Sequence, residues 1–138
     1  MQIKDEIVIA ASAEKVFSFY ADVNNWPSWD PDTRAATLHG DFVSGATATL
    51  ELANGPKTDI SFTEVAHNKG FVAEGKLPLC TLRFEHELFG NKHGIKVVHS
   101  VKFQGLLGPV FRVLIGPGIK KSLPHTLQGL REAVEQGT

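Results

Sequence analysis

The chain of 138 residues holds one cysteine, one methionine and one tyrosine, and neither charge dominates: fourteen Lys and Arg stand against fifteen Asp and Glu, with a sequence pI near 6.6. Cys80 has no second cysteine to pair with, so no intramolecular disulfide staples the fold. At this length a single domain spanning 1–138 buries about two-thirds of its unfolded surface without one. The even charge balance supplies no overall field to gather phosphates or an anionic bilayer, which argues against nucleic acid as a partner. No apolar run reaches the roughly 20 residues of a membrane span. The most apolar late stretch, Val110 to Ile119, is interrupted by Arg112, Gly116, Pro117 and Gly118. The opening Met1-Gln2-Ile3-Lys4-Asp5-Glu6 lacks the apolar centre of a secretory signal, so the expected location is cytoplasmic. Phosphate loops, dinucleotide fingerprints and serine nucleophile elbows are missing too. Gly105-Leu106-Leu107-Gly108 and Gly116-Pro117-Gly118 punctuate helices and follow no strand in the required motif, so no cofactor is expected.

What is present begins with Asn25-Trp26-Pro27-Ser28-Trp29-Asp30-Pro31, which carries both tryptophans between prolines. Each proline disfavours helical geometry in the residue before it, so the segment reads as a corner holding two large rings. Ahead of it, Ile3, Ile7 and Ile9 share one phase of a short strand, with Asp5 the exception in that phase. Ser12 is placed as an N-cap for a helix from about Ala13, whose Val16, Phe17, Tyr20 and Val23 face inward at helical spacing. From Arg34 to Phe103 the period changes to 2, and clusters at Gly40-Asp41, Asn54-Gly55-Pro56, Asn68-Lys69-Gly70 and Gly90 to Gly94 mark the reversals of an antiparallel meander. Cys80, Leu82, Phe84, His86 and Leu88 form one apolar phase; Ile95, Val97, His99, Val101 and Phe103 form the next. Arg83, Glu85, Glu87, Lys96 and Lys102 occupy the opposite, wet phase as cross-strand ion pairs. Helical spacing returns at Phe111, Ile115, Ile119, Leu123, Leu127, Leu130 and Val134, one stripe facing the sheet. Pro117 between two glycines predicts a break near Gly116, Pro124 a kink, and the segment Leu106 to Ile115 becomes either a hinged lid or a plain opening helix.

Strand, helix, the corner Val23-Asn24-Asn25-Trp26-Pro27-Ser28-Trp29-Asp30-Pro31, a six-strand meander and a terminal amphipathic helix together resemble the START-like (helix-grip, SRPBCC) superfamily, in particular its polyketide cyclase/dehydrase and lipid-transport branch. The resemblance covers nearly the whole chain. It implies an α+β fold in which a curved seven-stranded antiparallel sheet grips a long C-terminal helix, with two short helices after the first strand. It also implies a cavity between sheet and helix, lined by the apolar phases, for a small hydrophobic molecule such as a lipid, quinone or polyketide-like compound. The family holds carriers, aromatic cyclases and members without activity, so a cyclase or dehydratase using the same cavity and an interaction domain with a vestigial cavity stand as alternatives, and the oligomeric state, a homodimer included, stays open.

The residues themselves allow a pocket or a filled core. Small side chains at Ala46, Ala48, Ala73 and Cys80 leave room; Phe62, Phe71, Phe84, Phe103 and Phe111 line a site or pack together. The ligand lining expected is Phe62, Cys80, Leu82, Phe84, His86, Val97, His99, Val101, Phe111, Ile115 and Ile119. His86 and His99 are its polar members and the candidates for acid and base. A reversal at Gly90 to Gly94 pairs residues whose numbers sum to about 183 to 185, which sets the two imidazoles opposite or one diagonal apart. They orient or protonate a ligand, or they form a satisfied core pair reaching Tyr20. With Cys80 or His67 they lack a diagnostic ligand spacing, so no metal is expected. Glu64 enters the cavity if β alternation holds from Ile60 and Phe62, and turns outward if a bulge precedes Val65.

Overall fold

The period-2 alternation becomes one seven-stranded sheet, seen in a computed structural model that describes residues 2–53, 55 and 57–137. Its strands are β1 (Ile3–Ile9), β2 (Thr33–His39), β3 (Thr47–Leu52), β4 (Lys57–Ala66), β5 (Gly70–Leu77), β6 (Cys80–Asn91) and β7 (Gly94–Gln104). Their order is β1-β7-β6-β5-β4-β3-β2, with every neighbour antiparallel, so the meander β2 to β7 is continuous and β1 closes against its last strand. Three of the expected reversals fall between strands as read. The one at Asn54-Gly55-Pro56 includes residues 54 and 56, which lie outside the described residues. A further reversal, between β5 and β6, has no glycine: Leu79 makes the turn at φ 52°, a left-handed conformation unusual for a branched aliphatic.

Ser12 caps α1 (Ala13–Ala21), its side chain accepting from the Lys15 N–H at 3.1 Å, and Val16, Phe17 and Tyr20 are buried. The corner differs from the expected irregular turn. Val23–Ser28 is a 3₁₀ helix that includes both Trp26 and Pro27. A short 3₁₀ segment needs few intrasegment N–H donors, so proline is tolerated there. Trp26 and Trp29 are buried, and the Trp26 indole donates to the Tyr20 carbonyl at 3.0 Å. Asp30 ties the corner together by accepting from the Asp32 N–H, the Thr33 hydroxyl and the Thr126 hydroxyl, the last reaching across to the C-terminal helix. Burial raises the Asp30 carboxyl above its ordinary value, opposed by these hydrogen bonds.

That helix, α2 (Gly108–Gln136), is a correction to the sequence reading: it runs 29 residues with no break at Gly116. Pro117 and Pro124 both lie on its exposed side, seven residues apart, and the carbonyls they leave without a helical donor belong to Val113 and Lys120, which are also exposed. Their exposure leaves them open to hydration. Gly116 is buried, and a Cβ there would meet Ile3 Cδ1 at 3.4 Å, so the glycine lets α2 lie close on β1. Beyond it Leu123, Leu127, Leu130 and Val134 are buried, and the Glu135 carboxylate accepts from the Ala10 N–H at 2.9 Å. Before Gly116 the stripe is looser: Phe111 is partly buried and Ile115 is 36% exposed.

Candidate functional site

Four residues on neighbouring strands form one row across the sheet: Asp5 on β1 faces His99 on β7, His99 faces His86 on β6, and His86 faces Phe71 on β5. Directly opposed residues share a face, so this row runs along the inward side under α1. Tyr20 comes down on it from α1. Its ring centroid lies 4.9 Å from Phe71, 5.7 Å from His86 and 5.9 Å from His99, and its hydroxyl is 2.7 Å from His99 Nε2. His86 stacks on Phe71 at 3.9 Å and meets His99 edge-on at 4.5 Å.

The hydrogen bonds settle what these groups do. A carbonyl only accepts, so His86 Nδ1 donates to the Phe71 carbonyl at 3.3 Å, which leaves the Nε2 lone pair for another partner. Burial holds the His86 pKa down at about 4 and drives His99 well below its ordinary value, with the neighbouring His86 adding to the effect. Both imidazoles are therefore neutral at pH 7. Burial pushes the Tyr20 phenol upward, so it keeps its proton. The cluster presents neutral donors and acceptors, suited to holding a carbonyl or hydroxyl and not to supplying an imidazolium. Beside it, the Trp29 indole, 6.2 Å from the Tyr20 ring, is buried with no acceptor for its N–H.

The remaining expected residues divide by exposure. Phe62, Val97 and Val101 are sealed, Phe62 by Trp26, Phe42 and Phe71. Cys80 is buried at the β5–β6 end. Leu82, Phe84 and His86 on β6 keep part of their surface, as do Phe111 and Ile119 on α2. Glu64 takes the bulge alternative: the register slips between Phe62 and Glu64, Glu64 pairs with Val72, and its side chain lies exposed on the outer face. His67 is exposed and packs edge-on against Phe17, away from the imidazole pair. Among the described residues no three His, Cys, Asp or Glu side chains converge to hold a metal. On the wet face Arg83 bridges Glu74 and Glu85, and Lys102 joins Glu85; Lys96 instead lies over Phe89. Asp5 lies across from His99 in the register, its departure from the isoleucine phase marking it in the sequence, and its carboxylate accepts from the Glu6 N–H.

Two open concavities mark the surface. One lies between the corner and α2, bounded by Pro27, Trp29, His125, Gln128 and Glu132. The other lies on the sheet around Glu64, Val72, Arg83 and Glu87, with Phe71 and His86 of the row also on its lining. Neither lies between the inward face of the sheet and α2.

No protein of curated function matches the chain. Among solved structures it is similar to the di-domain ARO/CYC StfQ from the steffimycin biosynthetic pathway, with a TM-score of 0.80 at 10% identity over 99% of this chain and 51% of that one, so it spans about half of that protein. It is similar to a START superfamily protein from Mycobacterium smegmatis, with a TM-score of 0.75 at 18% identity over 99% of each chain. A protein from Thermus thermophilus gives 0.75 at 14% identity over 100% of this chain and 99% of that one. Such identities speak for the helix-grip fold. The family model described as polyketide cyclase / dehydrase and lipid transport matches residues 1–135, and the chain belongs to that family.

Proposed function

We propose that this protein binds a small, largely apolar molecule bearing a carbonyl or hydroxyl, between the inward face of β5 to β7 and α2. The observation that carries the reading is uneven sealing. On β4 and β7 the inward phase is closed at Phe62, Val97 and Val101, whereas Leu82, Phe84 and His86 on β6 retain surface, as do Phe111 and Ile119 on α2. His86 is desolvated enough to be held near 4 and is still not fully covered, as a group lining a narrow cleft is. Since neither marked concavity lies under α2, the ligand enters by lifting the loosely seated turns before Gly116. Leu82, Phe84, Phe111, Ile115 and Ile119 then form the apolar wall with Cys80 at its end, and the His86 and His99 nitrogens meet the polar group. The family's description, polyketide cyclase / dehydrase and lipid transport, supports a lipid or a polyketide-like ligand.

A second reading, a cyclase or dehydratase in the same cleft, is favoured by the Tyr20–His99 hydrogen bond with His86 edge-on beside it. In it the free Nε2 of His86 takes a proton from the ligand. The test uses a dihydroxyanthraquinone as probe and the emission of Trp26 and Trp29 as signal. Saturable quenching is expected, weakened about tenfold or more (~1.4 kcal/mol) by Leu82→Glu and by Ile119→Glu on opposite walls. His86→Phe keeps the stack and lowers affinity through the lost nitrogen. Absence of saturable quenching, or quenching indifferent to both wall variants, overturns the reading and leaves an interaction domain.

A further inference from the structure

We infer that the end of the molecule formed by the β5–β6 turn and the first turns of α2 docks on an anionic bilayer surface. Leu106 is 80% exposed, Val113 71%, Leu114 70% and Leu79 65%, with Val110 beside them. These positions are one patch: the Leu107 N–H donates to the Leu79 carbonyl at 2.9 Å, Gly105 closes against that same carbonyl, and Val110, Val113 and Leu114 follow on the next helical turns. Leu79 combines two unfavourable features, a left-handed backbone and an aliphatic side chain in water, that a buried or glycine turn would avoid.

Charge complementarity identifies the occupant. The near-zero net charge conceals a split: seven basic against thirteen acidic residues up to Glu87, and seven against two after it. From Leu88 to Arg131 there is no Asp or Glu at all. Lys120 and Lys121 are exposed and lie seven residues beyond Val113 and Leu114, hence on the same helical face and about 10 Å further along the axis. With the leucines and valines in the acyl boundary, that offset sets both ammonium groups at the level of the phosphates. A second copy of the chain offers no such match, since its own patch carries the same positive rim. The surface does not depend on the ligand reading.

Vesicle flotation tests it, with phosphatidylcholine alone and with phosphatidylserine added. The full chain floats with the anionic vesicles. Lys120→Gln with Lys121→Gln reduces that binding about thirtyfold, from roughly a factor of five per lysine. Leu79→Asp with Leu106→Asp abolishes it, while circular dichroism and anthraquinone quenching stay as in the parent, because these side chains point to water and lie outside α2. Failure to float with anionic vesicles overturns the inference. So does flotation unchanged by either pair of substitutions, and so does a dimer in sedimentation that the Leu79 and Leu106 substitutions dissociate, which would make the patch a contact between copies.

Discussion

The Tyr20 hydroxyl is the polar atom on which the core's geometry turns. It is wholly buried and 2.7 Å from His99 Nε2, in an aromatic cluster that offers the imidazole no other partner at that nitrogen. Tyr20→Phe keeps every ring contact and strands Nε2. We expect a loss of about 1–3 kcal/mol, the penalty of a buried group left unmade, measured as a lower urea midpoint at unchanged m value. An unchanged midpoint would show that the bond contributes nothing. The sequence made the His86–His99 opposition legible, because a short reversal between Asn91 and Gly94 leaves little freedom in register. Asp5 was not legible in the same way. Its place beside His99 depends on pairing between β1 and β7, which no turn links and whose register only the folded sheet defines. Glu64 shows the same limit more locally, since a one-residue bulge decides its face and no residue type there announces it.

Among the elements α2 most contradicts its own local signals, and magnitudes explain why. Two interior prolines cost on the order of 3 kcal/mol each. Burying Leu123, Leu127, Leu130 and Val134 returns roughly 1.5–3 kcal/mol apiece, which matches or exceeds that penalty, and the prolines face water, where the orphaned carbonyls are hydrated. Spacing could locate the buried stripe but not which side of the helix the prolines would occupy. The glycines of α2 give a paired test. At Gly129 a Cβ would stand 2.0 Å from the Trp29 carbonyl oxygen, a backbone atom of the packed corner. At Gly118 it meets nothing within 4 Å. Alanine gains up to about 1 kcal/mol of helix propensity at either position. Gly118→Ala should therefore raise the thermal midpoint. Gly129→Ala should lower it by overpacking that costs about 1–3 kcal/mol, because the corner must move to admit the methyl. Equal shifts at the two positions would mean that the corner is not held against α2 as described.

For the molecule as a whole, the buried imidazoles make stability a function of pH. His86 is held near 4 and His99 well below its ordinary value, so the native state stays unprotonated at these rings while the unfolded chain begins to take protons near 6.5. Below that pH the unfolded state binds more protons, and stability falls as the solution is acidified. The loss begins near pH 6.5, grows by at most about 1.4 kcal/mol per pH unit for each histidine, and for His86 levels off near 4 at up to about 3 kcal/mol. Other groups act in identifiable directions. Glu85, lowered mainly by its hydrogen bond from Arg83, adds to the loss only at the acid end of the range, and Asp30, raised by burial, opposes it. Urea unfolding between pH 7 and 5 covers the range in which the histidines of the unfolded chain take up protons. The parent should lose stability steadily over that interval, and His86→Phe, which retains the stack on Phe71, should show a shallower slope at any given pH. A parent whose midpoint is flat from pH 7 to 5 would mean that both rings take up protons in the native state. The cluster of Tyr20, His86 and His99 would then be open to water, and its groups would not have the neutral character that ligand recognition in the cleft requires.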